Sequence, residues 1–121
     1  MPAAVPRLLT VMGSGETAPT MVKVHRELLD RVGTPAVMLD TPFGFQANAD
    51  DLVAKAQSYF RESVGVELDL ASYRRSDVTS DVERERMLTR LRAARYVFAG
   101  PGSPTYALRQ WADSPVPEVL R

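Results

Sequence analysis

Two glycine-containing turns in this 121-residue sequence carry the residue types that can meet a negatively charged or reacting group. Gly13-Ser14-Gly15-Glu16 follows the apolar stretch 7–12, and Gly100-Pro101-Gly102-Ser103 closes a second apolar stretch that begins at Tyr96. Glycine permits close backbone approach, so N–H groups in such turns can point at an oxyanion, a carboxylate or a phosphate. Ligands of open α/β sheets bind beyond the carboxyl ends of strands, where both turns are expected. Both are candidate ligand-binding sites, and tight chain reversal is the competing explanation.

The first turn also matches the pattern G-x-G-x-x-A of dinucleotide-binding proteins. Asp40 closes the next apolar stretch, where that pattern expects an acidic residue. Pro19, however, places the helix start after the motif, whereas the fingerprint needs the helix to open within it. We therefore expect no nicotinamide or flavin cofactor. Asp40 is kept as a candidate ligand-binding residue, and its other interpretation is a residue that caps or hydrogen-bonds the following loop "TPFGF".

Residues for catalysis are scarce in this chain. The only histidine, His25, falls on the inner or flanking face of a predicted helix and is interpreted as structural. Ser14 does not make G-x-S-x-G, because Met12 stands where the first glycine belongs. Ser103 precedes Pro104 and is best explained as a helix N-cap. With no cysteine and no metal-like spacing of His, Asp or Glu, the sequence predicts no catalytic residue and no metal site.

Strand and helix patterns alternate along the chain. "VELDL" alternates apolar and acidic residues, which predicts an edge strand with one wet face. Helix boundaries are marked by Pro19 and Gly33, by Asn48 as a cap, and by a capping box of Ser80 with Glu83. The predicted fold is a single α/β domain over 1–121, a three-layer sandwich with a mostly parallel, doubly wound sheet. The four predicted strands are residues 7–12, 35–41, 66–70 and 96–100.

The last residues suggest a domain that continues. Residues 117–121 begin like a helix, with a proline and an early acid, but amount to little more than one turn. We therefore expect the chain to be the N-terminal part of a longer domain, and a small complete four-stranded domain is the alternative. The strand 96–100 then has an uncovered apolar edge, so we also expect self-association.

Charge and composition exclude several partner classes. Lys plus Arg and Asp plus Glu balance at 15 each, so there is no basic field to hold nucleic acid or an anionic membrane. The sequence is 45% hydrophobic and 25% charged, which is ordinary for a globular protein, and it shows no membrane-length apolar run. Together with the lack of cysteine, these features predict a cytoplasmic protein.

Three segments together resemble a known family. They are "TVMGSGETAPTM", "MLDTPFGFQANADDL" and "YVFAGPGSPTYALRQW". They resemble the N-terminal half of class I glutamine amidotransferase-like proteins of the cyanophycinase and aspartyl dipeptidase group, which are serine peptidases of the peptidase E type. The resemblance implies a flavodoxin-like sandwich, with a serine nucleophile on a sharp turn beyond Arg121 and its histidine partner further on.

The resemblance also assigns roles to the two glycine turns. Gly100, Gly102 and Ser103 would help to shape the substrate site and its oxyanion environment, and the first loop would fall on Gly13 to Glu16. Pro101 departs from the family pattern, because it removes an N–H donor between the glycines. The expected function is the N-terminal part of a hydrolase acting on a small peptide or amide, inactive alone. The alternative is a non-catalytic module that binds a nucleotide or another small ligand.

Overall fold

A computed structural model describes residues 17–112 and 114–120 of the chain. In that part, three parallel strands form one open sheet in the order β2-β1-β3. They are β1 Ala36–Leu39, β2 Leu68–Ala71 and β3 Tyr96–Ala99. The predicted strand at 7–12 and the turn Gly13-Ser14-Gly15-Glu16 lie outside the described residues.

Strand β1 lies between the other two strands and is buried along its whole length. Its side chains alternate between two cores, as the twofold period of a strand requires. Ala36 and Met38 join one apolar cluster with the helices over residues 22–32 and 49–59, while Val37 and Leu39 join a second cluster with the helices over residues 81–93 and 116–120. Helices therefore cover both faces of the sheet. This confirms the predicted α/β class with a parallel sheet.

Five α-helices connect and cover the strands. Short 3-10 turns precede α1 (Pro19–Met21) and follow β1 (Thr41–Phe43), and a π-helical turn at Phe60–Val64 extends α2. The helices are α1 Val22–Val32, α2 Ala49–Tyr59, α3 Asp81–Ala93, α4 Pro104–Trp111 and α5 Val116–Leu120.

Most of the predicted helix boundaries are confirmed. Ser80 Oγ accepts from the Glu83 N–H at 3.2 Å, and the Ser80 N–H donates to Glu83 Oε2 at 3.3 Å, which completes the capping box. Gly33 ends α1 with φ of 81°, a conformation that favours glycine. Asn48 occupies the N-cap position of α2, but its side chain makes no cap bond, so that part of the prediction is wrong. Pro19 opens the 3-10 turn ahead of α1 rather than α1 itself.

The edge strands differ in how much of them is covered. β2 lies at one edge of the described sheet, and the acidic residues Glu67 and Asp69 are exposed while Leu68 is buried, as "VELDL" predicts. On β3, Tyr96 and Phe98 are buried, while Val97 and Ala99 are exposed. One face of β3 is thus open at the other edge of the described strands. The self-association expected at this edge stays a prediction.

His25 is a core residue, as the sequence predicts. It is fully buried, and its Nδ1 shares a hydrogen bond of 2.6 Å with the Tyr96 hydroxyl. The rings of Tyr59, Phe60 and Phe98 surround it with centroids 4.9 to 5.9 Å away. Burial, followed by repulsion from Tyr59, raises the pKa of Tyr96 to about 12. The pair lies at the amino end of β3, one strand length from the carboxyl ends.

Each helix in residues 17–112 and 114–120 is too short or too polar to cross a membrane.

Alkaline titration of Tyr96 provides a test of this core. The tyrosine of the unfolded chain loses its proton near pH 10, whereas the folded chain keeps it until about pH 12. The contribution of Tyr96 is therefore fully present below pH 10, and the free energy of unfolding falls as the pH rises through this window. Urea unfolding across that range should show a shallower fall for Tyr96→Phe than for the unmodified chain. Tyr59 and Tyr106, whose pKa values burial also raises, remain in both proteins. Equal slopes would contradict the prediction.

Candidate ligand-binding site

A cleft of about 460 Å³ opens beyond the carboxyl ends of the strands. Its walls come from Gly44 and Phe45 after β1, from residues 75–77 after β2, and from Tyr106 and Gln110 of α4. Ligands of open parallel sheets bind at this end of the strands. The cleft is therefore the candidate functional site of the described chain.

A buried carboxylate supports the cleft from behind. Asp40 follows β1, is fully buried, and accepts three hydrogen bonds from the segment after β2. The donors are Ser72 Oγ at 2.7 Å, the Tyr73 N–H at 2.8 Å and Arg74 Nε at 2.9 Å. The interpretation that Asp40 caps or hydrogen-bonds the following "TPFGF" loop is confirmed through its backbone. Asp40 is the N-cap of the 3-10 turn Thr41–Phe43, and its carbonyl accepts from the Phe43 N–H at 3.3 Å, while its side chain makes no cap bond. Its carboxylate turns to the neighbouring parallel strand, because Leu39 pairs with Ala71 and both chains leave the sheet together.

Arg74 joins this buried charge to the surface. Its Nη2 donates to Asp50 Oδ1 at 2.6 Å, while its Nε is held by Asp40. Burial alone would lower the pKa of Arg74, but the hydrogen bonds to Asp40 and Asp50 outweigh burial and raise it. The guanidinium thus stays charged and bound at both ends. It fixes the loop after β2 against the start of α2.

Two hydrogen bonds from α4 connect this helix to the segments after β1 and β2. Thr41 is fully buried, and its Oγ1 donates to the Tyr73 carbonyl at 2.7 Å and accepts from Trp111 Nε1 at 2.9 Å. The Tyr106 hydroxyl donates to the Arg74 carbonyl at 2.5 Å. The segments after β1 and β2 and helix α4 therefore form one connected network around the cleft.

The second glycine turn brings α4 close to the turn after β1. Gly102 has φ of 138°, and a Cβ there would collide with the Pro42 carbonyl. The Ser103 N–H donates to that same Pro42 carbonyl at 2.8 Å. Ser103 Oγ accepts from the Tyr106 N–H at 3.1 Å, which confirms Ser103 as the N-cap of α4. Gly100 approaches equally closely, since a Cβ there would overlap the Phe43 ring.

The predicted site residues therefore support the cleft more than they line it. Asp40, Gly100, Gly102 and Ser103 are brought together behind its walls, and none of the four contributes to the lining. The N–H groups of Gly100 and Ser103 are donated to the carbonyls of Leu39 and Pro42. Gly13, Ser14, Gly15 and Glu16 lie outside the described residues, and their binding role stays a prediction.

Aromatic and charged side chains line the cleft. Phe45 is 53% exposed, and its ring lies 5.0 Å from the Tyr106 ring at an angle of 59°. Arg75 Nη2 donates to Asp77 Oδ2 at 2.8 Å. Burial raises the pKa of Tyr106, opposed by the Arg75 charge and assisted by the carboxylates of Asp77 and Asp40. The cleft therefore combines an aromatic wall with one positive and one negative group.

An amide completes the lining. Gln110 Oε1 accepts from the Ser76 N–H at 2.7 Å and from Ser76 Oγ at 3.0 Å. These two bonds occupy Oε1 and fix the orientation of the amide. Its Nε2 hydrogens, the donors of the amide, form neither of these bonds. Within the described part of the chain, no three or more acidic or histidine side chains are grouped so that they can hold a metal ion.

Sequence reasoning missed the lining residues because it followed the glycines. The loop that contains Arg75, Ser76 and Asp77 has no glycine, but it follows a predicted strand, and the carboxyl-end rule applied to it as well. The two phenylalanines of "TPFGF" differ in the same way, since Phe43 is fully buried in the core and Phe45 faces the cleft.

Asp40→Ala should destabilise the fold far more than Asp50→Ala. The first change leaves the half-buried Arg74 without its inner partner and removes the acceptor of the Tyr73 N–H, so we expect a loss of about 3 kcal/mol or more. The second removes an ion pair whose acid is 89% exposed, so the loss should stay within about 1 kcal/mol. Urea unfolding of both variants measures the difference. Similar losses would show that Asp40 does not hold the loops together.

Gly102→Ala should cost more stability than Gly65→Ala. Both glycines have positive φ, which strains an alanine by about 1 kcal/mol. A Cβ at Gly65 meets no described atom within 4 Å, whereas at Gly102 it meets the backbone of Pro42, which cannot move aside freely. Thermal unfolding compares the two variants. A Gly102→Ala variant as stable as Gly65→Ala would contradict the close approach of α4.

Comparisons of the chain with family models, with curated proteins and with solved structures find no match. What the chain does has to be inferred from its own residues.

Proposed function

We propose that this chain supplies the substrate-binding part of a serine peptidase-like or amidotransferase-like hydrolase, with a small peptide or amide held in the cleft. The observation that carries this proposal is the cleft itself, which opens at the carboxyl ends of three parallel strands. Its volume of about 460 Å³ falls in the range of small-molecule sites.

The family resemblance also supports the cleft as the substrate site. Gly44 and Phe45 belong to the segment "MLDTPFGFQANADDL", and Tyr106 and Gln110 belong to "YVFAGPGSPTYALRQW". Two of the three segments that resemble the peptidase E group thus provide lining residues of one cleft. A flavodoxin-like order of strands is part of the proposal, and helices on both faces of a parallel sheet are what that fold requires.

Catalytic groups are assigned elsewhere in the proposed hydrolase. A serine nucleophile needs a base within hydrogen-bond reach. Ser76 Oγ meets the amide of Gln110, which is not a base, and Ser103 Oγ accepts the Tyr106 N–H as a cap. His25 is buried in the aromatic core at the opposite end of the strands. The nucleophile and its histidine lie beyond Arg121 in this proposal, as the resemblance implies.

The task of these residues is then to bind and orient. The Phe45–Tyr106 wall and the polar groups opposite it would hold a substrate beside a nucleophile that another segment provides. A fixed geometry of this kind converts an encounter between two groups into an effectively unimolecular step. The hydrogen bonds of Asp40 and Thr41 would keep the walls of the cleft in place during the reaction.

Nuclear magnetic resonance of the isolated chain tests the proposal. Small dipeptides and N-acetyl amino acid amides should shift the backbone signals of Gly44, Ser76 and Gln110 without being hydrolysed. Phe45→Ala should weaken this response, whereas Val82→Ala, which removes an exposed apolar group from α3, should not. NAD serves as the competing ligand and should leave all signals unchanged.

Three results would contradict this assignment. Shifts produced by NAD would favour the dinucleotide-binding alternative. Peptide-induced shifts confined to residues outside the cleft would remove the proposed site. Turnover of a dipeptide, or labelling of Ser76 or Ser103 by a serine-reactive phosphonate, would show that the chain carries its own catalytic groups.

A further inference from the structure

We infer that the cleft recognises an apolar α-amino acid, either free or as the carboxyl-terminal residue of a small peptide. Arg75 would bind its carboxylate, Asp77 its amino or amide N–H, and the Phe45–Tyr106 wall its side chain. This inference rests on the proposed function and names the class of peptide that the cleft would select.

The ion pair in the cleft has bonding capacity left over. Arg75 reaches Asp77 through a single contact, from Nη2 to Oδ2. Among the described residues, Nε and Nη1 of Arg75 and Oδ1 of Asp77 have no partner. A guanidinium can donate two parallel hydrogen bonds to one carboxylate, and a carboxylate oxygen readily accepts from an ammonium or amide N–H. Opposite groups so close together match the adjacent carboxylate and nitrogen of an α-amino acid.

This pair is not required for stability. The side chains of Arg75 and Asp77 are 53% and 62% exposed, and exposed ion pairs contribute little to folding. Gln110 adds a second donor, because its Oε1 is held by Ser76 and its Nε2 has no acceptor within the described chain. The positive and donor groups of the cleft therefore favour a carboxylate, while Asp77 favours a nitrogen beside it.

The aromatic wall selects for an apolar side chain. Phe45 leaves half of its surface in water although its ring contacts the tilted ring of Tyr106, and both residues line the cleft. Covering that surface with an apolar group is favourable in proportion to the area buried. A ligand with only a charged head would leave the wall exposed, so the combination favours leucine-like or phenylalanine-like residues.

A second cleft lacks both the half-used ion pair and the aromatic wall of the first cleft. It measures about 390 Å³, lies at the amino ends of β1 and β2, and is lined in part by Glu67. There Arg61 binds Glu67 through two contacts, Nε to Oε1 at 2.8 Å and Nη2 to Oε2 at 3.1 Å. Both carboxylate oxygens are occupied, and no aromatic side chain is part of the described lining. Arg61→Gln is therefore a matched control for Arg75→Gln.

Titration calorimetry of the unmodified chain with four ligands tests the recognition directly. L-phenylalanine should bind, and N-acetyl-phenylalanine, which imitates a carboxyl-terminal residue, should bind more weakly. Phenylalanine amide lacks the carboxylate and alanine lacks the ring, so each should bind about tenfold more weakly than phenylalanine, or not at all. Phenylalanine amide binding as tightly as phenylalanine would overturn the assignment of Arg75.

Variants then assign each contact. Arg75→Gln and Phe45→Ala should weaken phenylalanine binding by about tenfold, and Asp77→Asn should weaken phenylalanine more than N-acetyl-phenylalanine. Arg61→Gln should bind phenylalanine as the unmodified chain does. An equal loss in Arg61→Gln and Arg75→Gln would overturn the inference. If a variant fails to fold, the ligand series on the unmodified chain still decides.

The two proposals fail in different ways. If dipeptides or N-acetyl amino acid amides shift the cleft signals but phenylalanine does not bind, the inference is wrong and the proposed function stands. If phenylalanine binds through Arg75 and Asp77 but no peptide does, the inference holds for a free amino acid and the proposed function is wrong. If neither ligand reaches the cleft, both are wrong.

Discussion

The buried carboxylate of Asp40 is the constraint on which this end of the molecule depends. A charged group removed from water is tolerated only when its oxygens are bonded and its charge is matched. Ser72, the Tyr73 N–H and Arg74 meet both conditions, and all three belong to one segment after β2. The loop after β2 therefore cannot move away from the end of β1 without exposing an unpaired charge. The position of the cleft follows from that coupling.

Helix α4 is held by a different kind of constraint. Its approach to the turn after β1 depends on the absence of side chains at Gly100 and Gly102, and on hydrogen bonds from Trp111 and Tyr106. Steric fit brings the helix in, and the buried Thr41 hydroxyl then serves as the shared partner of α4 and the loop after β2. Charge and packing thus act on separate pairs of segments, and the cleft lies where they meet.

Features that depend on near neighbours in the sequence could be predicted from it. The Ser80–Glu83 capping box follows from residue types three positions apart, and the Ser103 cap follows from the proline next to it. The wet edge of β2 follows from the alternation of apolar and acidic residues. The lining of the cleft depends on contacts between residues more than thirty positions apart, as in the bond from Ser76 to Gln110. No local pattern encodes such a pair. Asp40 shows the same limit, because the sequence marks it as unusual but does not reveal the partner of its side chain.

Arg74 and Arg75 show how adjacent identical residues acquire different roles. Arg74 is directed towards Asp40. Its guanidinium binds the carboxylates of Asp40 and Asp50, and these bonds stabilise the fold. Arg75 points to the cleft and makes a single contact with Asp77, two positions along the chain. The support of the loop and the polarity of its surface therefore arise from the same dipeptide, which lies at a bend before the turn that begins at Ser76. The contact between Asp40 and the Tyr73 N–H fixes the backbone directly before this dipeptide, so it holds Arg74 at the buried carboxylate and leaves Arg75 in the lining of the cleft.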